Sequence, residues 1–290
     1  MNILTFDIEE WYLERILFGG REFKFRQYNE AFDKLLDDLD RLNIKATMFC
    51  VGKLVMEFPE VIKKIASRGH EVGCHGNEHK WLTKMDEAVL HKDTIEAIKA
   101  LEDVSGQKVV SYRAPAFSIT EKNKWAIDVL AECGIENDAS IFSTSRDFGG
   151  YPAFPTDKPC IISHSDAIIK EYPISLTSIA GKKIAYSGGG YFRMLPYSFV
   201  RKTMAKRDYN ICYFHLNDLV NQKIKLKSRS EYEKYFNEPG TLKNRLVRYA
   251  KSNIGTGDAY EKLLNLLSTY TFTSIRDCEM DWSNVETITL

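Results

Sequence analysis

The sequence predicts an α/β fold in which parallel strands alternate with helices around an incomplete barrel. Three observations support this class. Short apolar runs recur along the chain, amphipathic stretches with helical spacing separate them, and glycine or proline marks several boundaries. Strands that alternate with helices favour a parallel sheet with crossover helices. The number of alternations fits an incomplete α/β barrel better than a doubly wound sheet.

The first half of the chain carries the most regular part of this pattern. Apolar runs predict strands at 2–6, 46–51, 71–74 and 109–112. Apolar residues at helical spacing predict helices at 28–42, 59–68, 86–104 and 120–133. The helix at 59–68 begins with a proline and is followed by Gly69, which are the residues typical of a helix start and a helix end.

The pattern loosens after residue 140. Residues 143–196 contain five of the eight prolines and the Gly188-Gly189-Gly190 run, so we expect an irregular loop region there. Regularity returns with a predicted helix at 197–206, a strand at 210–215, a helix at 259–268 and a strand at 270–275. No repeat or flexible linker interrupts the chain. We therefore predict one domain over residues 1–290, with a helical and strand C-terminal part at about 240–290.

Composition excludes several classes of protein. Lysine plus arginine and aspartate plus glutamate each total 40, so the formal net charge is zero and bulk charge gives no reason to expect nucleic-acid binding. No stretch reaches the ~18 apolar residues of a membrane span, and the opening residues MNILTFDIEEW do not resemble a signal peptide. The six cysteines are scattered without a CxxC pair. These features predict a cytoplasmic protein with reduced thiols.

Polar clusters follow three of the predicted strands, at the edge where α/β folds gather their active sites. Asp7 and Glu9 lie two positions apart, so a continuing strand would point both carboxylates to one side. His75 and His79 are four apart, and one helical turn would bring both imidazoles to one face. Together with a carboxylate they could form a two-histidine, one-carboxylate metal site. Arg113 could pair with a carboxylate. Each cluster taken alone also fits a solvated turn, surface histidines or an ordinary salt bridge.

A fourth position, His215, ends an apolar strand. A lone histidine there is more often a core residue than a catalyst, and it gains interest from the three clusters at the same predicted edge.

These segments, in this order, resemble the polysaccharide deacetylases, which are NodB-like, metal-dependent carbohydrate esterases. The matching segments are TFDIE, GHEVGCHGNEH, YRAPAF and the strand-terminal FH, with GGGYFR at 188–193. The resemblance runs from residue 3 to about residue 220 and more faintly to the end. It implies a distorted (β/α) barrel and a divalent metal ion, commonly Zn²⁺.

Carried over position by position, the resemblance implies a set of site residues. Asp7 matches the catalytic base, and Arg113 matches the residue that orients it. Ala116 would supply a backbone N–H to the oxyanion, and His215 would act as general acid. The implied metal ligands are Glu9, His75 and His79. In this sequence the second acid of the first motif is Glu9, two residues after Asp7, whereas many members have two adjacent aspartates.

The second departure from the family pattern follows His215. Related chains with the GGGYFR segment tend to carry Pro-Trp-Glu after this histidine, and here Leu216-Asn217-Asp218 follow it. We predict Asp138 as the acid that pairs with His215, with a structural turn as its alternative role.

Aromatic and basic residues suggest how a glycan could bind. Trp11, Phe117, Tyr191 and Arg193 lie in or near the motifs, and we predict them as substrate-binding residues, with core packing as the alternative for the aromatic rings. Residues 221–251 contain nine lysines or arginines and three acids, a local net charge of 9 − 3 = +6. This segment fits a solvated face. It also fits peripheral contact with a membrane or binding of a phosphorylated glycan carrier.

The leading hypothesis is removal of N-acetyl groups from an amino sugar of a polysaccharide or glycan precursor, with an N-acetylated glycan or carrier-linked sugar as substrate. A rival with the same mechanism hydrolyses another amide, such as a cyclic ureide. A third hypothesis is a non-catalytic carbohydrate-binding protein on the same scaffold.

Overall fold

A nine-stranded sheet organises the chain and confirms the predicted α/β class. The computed structural model describes residues 1–146, 149–220, 225–236 and 238–290. In chain order the strands are β1 (Asn2–Ile8), β2 (Thr47–Cys50), β3 (Glu71–Cys74), β4 (Ser111–Tyr112), β5 (Asn137–Asp138), β6 (Cys160–His164), β7 (Ala167–Glu171), β8 (Leu176–Ile179), β9 (Lys182–Ala185), β10 (Asn210–His215) and β11 (Thr287–Thr289). The hairpin of β8 and β9 forms a separate small sheet.

The helices connect the strands and cover the sheet. They are α1 (Glu10–Phe18), α2 (Glu22–Arg41), α3 (Pro59–Ser67), α4 (Glu87–Ser105), α5 (Ala126–Glu132), α6 (Gly189–Met194), α7 (Tyr197–Met204), α8 (Leu216–Leu219), α9 (Arg229–Phe236), α10 (Leu242–Asn253) and α11 (Ala259–Thr269). Among the described residues, none of these helices combines the length and the apolar character needed to cross a bilayer.

The sheet has the strand order β10-β1-β2-β3-β4-β5-β7-β6-β11, and its paired strands run parallel except for the β6–β7 hairpin. In the described part of the chain, β10 and β11 end the sheet on opposite sides, so the barrel is incomplete as predicted. The carboxyl ends of β10, β1, β3 and β4 lie at one edge because these strands are parallel, and that edge carries the candidate site.

The amphipathic patterns form helices for the expected reasons, although two boundaries differ from the prediction. Asp86 caps α4 by accepting a hydrogen bond from the Val89 N–H at 2.9 Å. The predicted helix at 28–42 begins six residues earlier, at Glu22, because Phe25 extends its buried face. The predicted helix at 120–133 begins at Ala126, because Asn123 accepts hydrogen bonds from the main chain and hydroxyl of Thr120 and makes a turn there.

The second half of the chain has more regular structure than predicted in region 143–196 and less than predicted at 270–275. Region 143–196 holds two hairpins and α6, and residues 147 and 148 lie outside the described part. Gly188 allows close approach, since a Cβ at that position would overlap the ring of Tyr213. The predicted strand at 270–275 is wrong: Thr273 makes a single bridge to Ile3 beside β1, because β1 already pairs with β10 and β2.

Candidate functional site

Three side chains converge at the carboxyl edge of the sheet. Glu9 follows β1, and its Oε2 lies 2.6 Å from Nε2 of His79 and 3.5 Å from Nε2 of His75. The candidate ligand atoms of the three residues all lie within 4.8 Å of one another. Glu9 Oε2 is buried without a hydrogen-bond partner in the described structure. A buried carboxylate oxygen of this kind, next to two imidazole nitrogens, fits a divalent cation as its missing partner.

The two histidines reach this cluster by a route that differs from the prediction. Residues 75–79 form an irregular loop and no helical turn, and His79 adopts a left-handed backbone with φ 55°. His75 Nδ1 lies 2.7 Å from the carbonyl oxygen of Arg113. Because that ring nitrogen donates to the carbonyl, Nε2 keeps its lone pair and faces Glu9. Asp93 of α4 holds the loop between the histidines by accepting the Asn77 N–H at 2.7 Å.

Asp7 forms a buried ion pair beside this cluster. Arg113 donates through one terminal nitrogen to Asp7 Oδ1 at 2.8 Å and to the Thr5 hydroxyl at 2.8 Å, and its Nε donates to the Ala139 carbonyl at 3.1 Å. The side chains of Asp7 and Arg113 are 2% and 0% exposed. A guanidinium fixed by three acceptors therefore orients the carboxylate of Asp7.

His215 faces Asp7 and Glu9 from the neighbouring strand. Its Nε2 lies 3.7 Å from Asp7 Oδ2 and 3.5 Å from Glu9 Oε1. Burial opposes its charged form, but the charge of Glu9, the hydrogen bond and charge of Asp218 and the charge of Asp7 raise the pKa of His215 well above its usual range. The imidazole is therefore ready to hold a proton at Nε2.

The acid paired with His215 is Asp218, and the prediction of Asp138 is wrong. Asp218 Oδ2 lies 3.2 Å from His215 Nδ1, whereas Asp138 is buried on β5, five strands along the sheet from β10, where it accepts from the Ser140 hydroxyl. The sequence contained a signal for this pairing: an acid three residues after a strand-terminal residue forms a capping box on α8.

Arg193 contacts protein atoms where a substrate contact was predicted. Its Nε lies 3.3 Å from Asp218 Oδ1, and its two terminal nitrogens donate to the carbonyls of Ser252 and Lys251 at 3.0 and 3.1 Å. Burial opposes ionisation of Asp218, but the His215 hydrogen bond and charge and the Arg193 charge lower the pKa of this carboxylate.

Glu10 is a second residue that the sequence reasoning missed. Its side chain is buried, and Oε1 accepts the Asn217 N–H at 2.9 Å, which fixes the turn after His215. Burial and the neighbouring charge of Glu9 raise the pKa of Glu10 to about 7. In the sequence Glu10 stands beside two other acids of the first motif, and a third acid there gives no separate signal.

Ala116 lies in a 3₁₀ turn over Pro115–Phe117 with a left-handed backbone, φ 56°. Phe117 is also left-handed, and its N–H donates to the Ala114 carbonyl at 3.0 Å. Among the hydrogen bonds of the described residues, none has the Ala116 N–H as donor. Two consecutive non-glycine residues in this conformation mark a locally strained turn, which is common at functional sites.

Two of the three predicted aromatic contacts lie in the core. Trp11 is 0% exposed and packs edge-on against Tyr28 and Phe32, because it lies on the inner face of α1. Phe117 is 4% exposed and packs edge-on against Phe142. The prediction of sugar contacts by these two rings is therefore wrong in this structure. Tyr191 on α6 is partly buried and keeps an accessible surface.

Comparison with known families agrees with this geometry. Residues 3–137 match the model of the family described as polysaccharide deacetylase. These residues, a little under half of the chain, are therefore similar to the polysaccharide deacetylase family. Residues 139–279 match a second model, described as a domain of unknown function (DUF3473). The Glu9, His75 and His79 cluster and the Asp7–Arg113 pair lie in the part that matches the deacetylase model. The part that matches the second model contains His215, Asp218 and Arg193.

Curated deacetylases are similar to the first part of the chain. A peptidoglycan-N-acetylglucosamine deacetylase of Bacillus cereus is 34% identical over 100 residues, which is 34% of this chain and 36% of that protein. A chitooligosaccharide deacetylase of Bradyrhizobium sp. is 30% identical over 97 residues, 33% of this chain and 42% of that protein. The chain thus spans less than half the length of these relatives.

A solved structure confirms the fold over nearly the whole chain. A crystal structure from Mycobacterium smegmatis that carries the polysaccharide deacetylase name has a TM-score of 0.57 and 21% identity, and the alignment covers 94% of this chain and 85% of that one. The distorted barrel implied by the motifs is therefore the fold of this chain.

Proposed function

We propose that this protein is a metal-dependent hydrolase that removes N-acetyl groups from an amino sugar of a polysaccharide or glycan precursor. One observation carries the proposal: the Glu9, His75 and His79 cluster lies beside an ion-paired aspartate and an acid-paired histidine. Asp7 supplies a proton acceptor and His215 a proton donor on the same edge of the sheet.

Two imidazoles and one carboxylate are a donor set that suits Zn²⁺ and related borderline cations, and they leave coordination positions for water and substrate. We propose Zn²⁺ as the first candidate. The chemistry that such an ion supplies when bound is Lewis-acid polarisation of the acetyl carbonyl and a lowered pKa for water at the site.

The chain's own residues then perform the proton transfers. Asp7 Oδ2 accepts the proton of the attacking water, since Oδ1 is occupied by Arg113. The oxyanion that forms accepts a hydrogen bond from the Ala116 N–H, and one such donor typically contributes about 3 kcal/mol. His215 gives its Nε2 proton to the departing amine while Asp218 holds Nδ1. Acetate and a free amino sugar result, and general acid–base help of this type contributes about 10²–10⁴-fold.

The proposed substrates include a carrier-linked glycan precursor. The proposed location is the cytoplasm. The six cysteines, which are free in the structure, support a reducing compartment. The relatives' printed names support N-acetylglucosamine-containing glycans as the substrate class.

Acetate release is the measurement that tests the proposal. The purified protein is stripped with a chelator, reloaded with Zn²⁺, Co²⁺ or Mn²⁺, and assayed on chitooligosaccharides, peptidoglycan fragments and N-acetylhexosamine donors. We expect acetate release that depends on the added ion and is lost in Asp7→Asn. A protein that binds the ion stoichiometrically and releases no acetate from any of these substrates, or that opens a cyclic ureide instead, would overturn it.

A further inference from the structure

Helix α10 is turned with its apolar side to the solvent. Leu242, Leu246 and Tyr249, spaced at i, i+4 and i+7, are 61%, 46% and 41% exposed, and Val247 is 46% exposed. None of the residues of α10 is buried. An ordinary surface helix buries this stripe against the core and exposes its charges. We call the stripe formed by Leu242, Leu246, Val247 and Tyr249 the α10 face.

The charges of α10 are all positive and lie around this stripe. Its sequence LKNRLVRYAKSN contains four lysines or arginines and no acid. Arg245 points to the protein, where Nε donates to the Lys227 carbonyl at 2.8 Å, and Arg248 contacts Glu238. Lys243 and Lys251 are exposed, so the α10 face is accompanied by cations that reach the solvent.

The last turn of α10 is connected to the candidate site through Arg193. Helices α8, α9 and α10 all follow the carboxyl end of β10, which carries His215. The carbonyls of Lys251 and Ser252 in the last turn of α10 accept hydrogen bonds from Arg193, and Arg193 contacts Asp218, the partner of His215. One guanidinium therefore joins the end of α10 to the general-acid pair.

We propose that the α10 face docks the protein on an anionic lipid surface, with the candidate site turned toward glycans held at that surface. Binding to the lipid surface does not depend on the hydrolysis reaction. The role of that binding, which is access to glycans, rests on the proposed function. The proposal uses the described residues 242–253; residues 221–224 and 237 of the basic segment lie outside the described structure.

The charge pattern favours a bilayer over a protein partner or a second copy. A helix with leucine and tyrosine on one side and lysines beside them binds the headgroup region through apolar burial and attraction to anionic lipids. A second copy would bring two α10 faces together, and the like charges of their lysines would oppose that contact.

Vesicle co-sedimentation tests the docking. The full chain is mixed with vesicles of phosphatidylcholine alone or with vesicles that also contain about 30% phosphatidylglycerol, which gives them a strongly anionic surface. We expect binding to the anionic vesicles only, which weakens as salt rises. The double variant L242E/L246E should lose at least tenfold in affinity. The matched control is M56E/I168E, which places the same charges at residues 78% and 69% exposed elsewhere and should bind like the wild type.

Soluble-substrate assays and sedimentation velocity separate the possible outcomes. L242E/L246E should release acetate from a soluble chitooligosaccharide as fast as the wild type, so loss of docking and loss of hydrolysis are distinguishable. The proposal would be overturned if the wild type does not bind anionic vesicles, or if the double variant binds them with wild-type affinity. A wild-type dimer that L242E/L246E converts to monomer without any vesicle binding would also overturn it, since the occupant would then be a second copy.

Discussion

Asp218 Oδ2 lies 3.2 Å from Nδ1 of His215, and the two residues are three positions apart in the chain. The same oxygen accepts the main-chain N–H of His215 at 3.1 Å, so one carboxylate fixes both the backbone and the ring. Arg193 contacts the other oxygen of Asp218 at 3.3 Å. His215 is therefore held with Nε2 toward Asp7 and Glu9.

Replacing Asp218 with Asn should lower the rate of acetate release by about 10²-fold, part of the ~10²–10⁴ that a positioned acid contributes. Asp218 raises the pKa of His215, and the general acid must be protonated. Without that charge the alkaline limb of the pH–rate profile should move to lower pH. A full profile of kcat/KM for D218N measures both effects.

The control for D218N is Asp208→Asn, which removes a carboxylate from an exposed position and should change neither rate nor profile. An unshifted alkaline limb in D218N would show that Asp218 has only a structural role.

Metal content should separate the ligands from the proton acceptor. His79→Ala removes a nitrogen 2.6 Å from Glu9 and should lose the bound ion, measured by elemental analysis after dialysis. Asp7→Asn should keep the ion and lose at least 10²-fold in rate. Equal metal content in H79A and the wild type would contradict the ligand set.

The sequence located the polar edge of the sheet because each motif directly follows a buried apolar run. Asp7, His75, Arg113 and His215 end or follow β1, β3, β4 and β10, and parallel strands bring such positions together. The pattern did not show that Glu171 of β7 would face Asp138, because β6 and β7 join the far side of the sheet through an antiparallel hairpin.

Helices α10 and α1 were not predicted, for different reasons. Helix α10 carries apolar residues at helical spacing, but the excess of lysine and arginine over 221–251 is typical of a charged surface segment and obscures that spacing. Helix α1 begins directly after Glu9, so its first residues overlap the first motif in the sequence. Because Trp11 lies in this overlap, its position in the sequence fits a substrate contact. In the structure its ring packs inward and its Nε1 donates to Asn29 Oδ1 at 2.9 Å. A single sequence does not separate buried from exposed aromatic rings.

Arg113→Met should destabilise the fold by about 3–5 kcal/mol, because it leaves the buried carboxylate of Asp7 without its partner. The double variant D7N/R113M removes the orphaned charge as well and should recover a large part of that loss. Urea unfolding of the four proteins in this cycle gives the free energies. If R113M does not fold, Arg113→Lys keeps a cation and supplies a milder member of the series. Additive effects of the two substitutions would contradict a direct coupling.

His70 should make the folded state sensitive to acid. The ring is buried, Nδ1 accepts the Ala46 N–H at 3.3 Å, and burial together with the charge of Lys45 lowers the pKa of His70 from 6.5 to about 4. Between pH 6.5 and 4 the unfolded chain binds a proton at this residue that the folded protein does not, so stability falls as the pH falls through that window. The full effect is about 3 kcal/mol. His70→Asn keeps an acceptor for the Ala46 N–H and removes the titration, so its free energy of unfolding should fall less between pH 7 and 4. The exposed replacement His91→Asn should keep the wild-type slope, and equal slopes in H70N and H91N would sink the prediction.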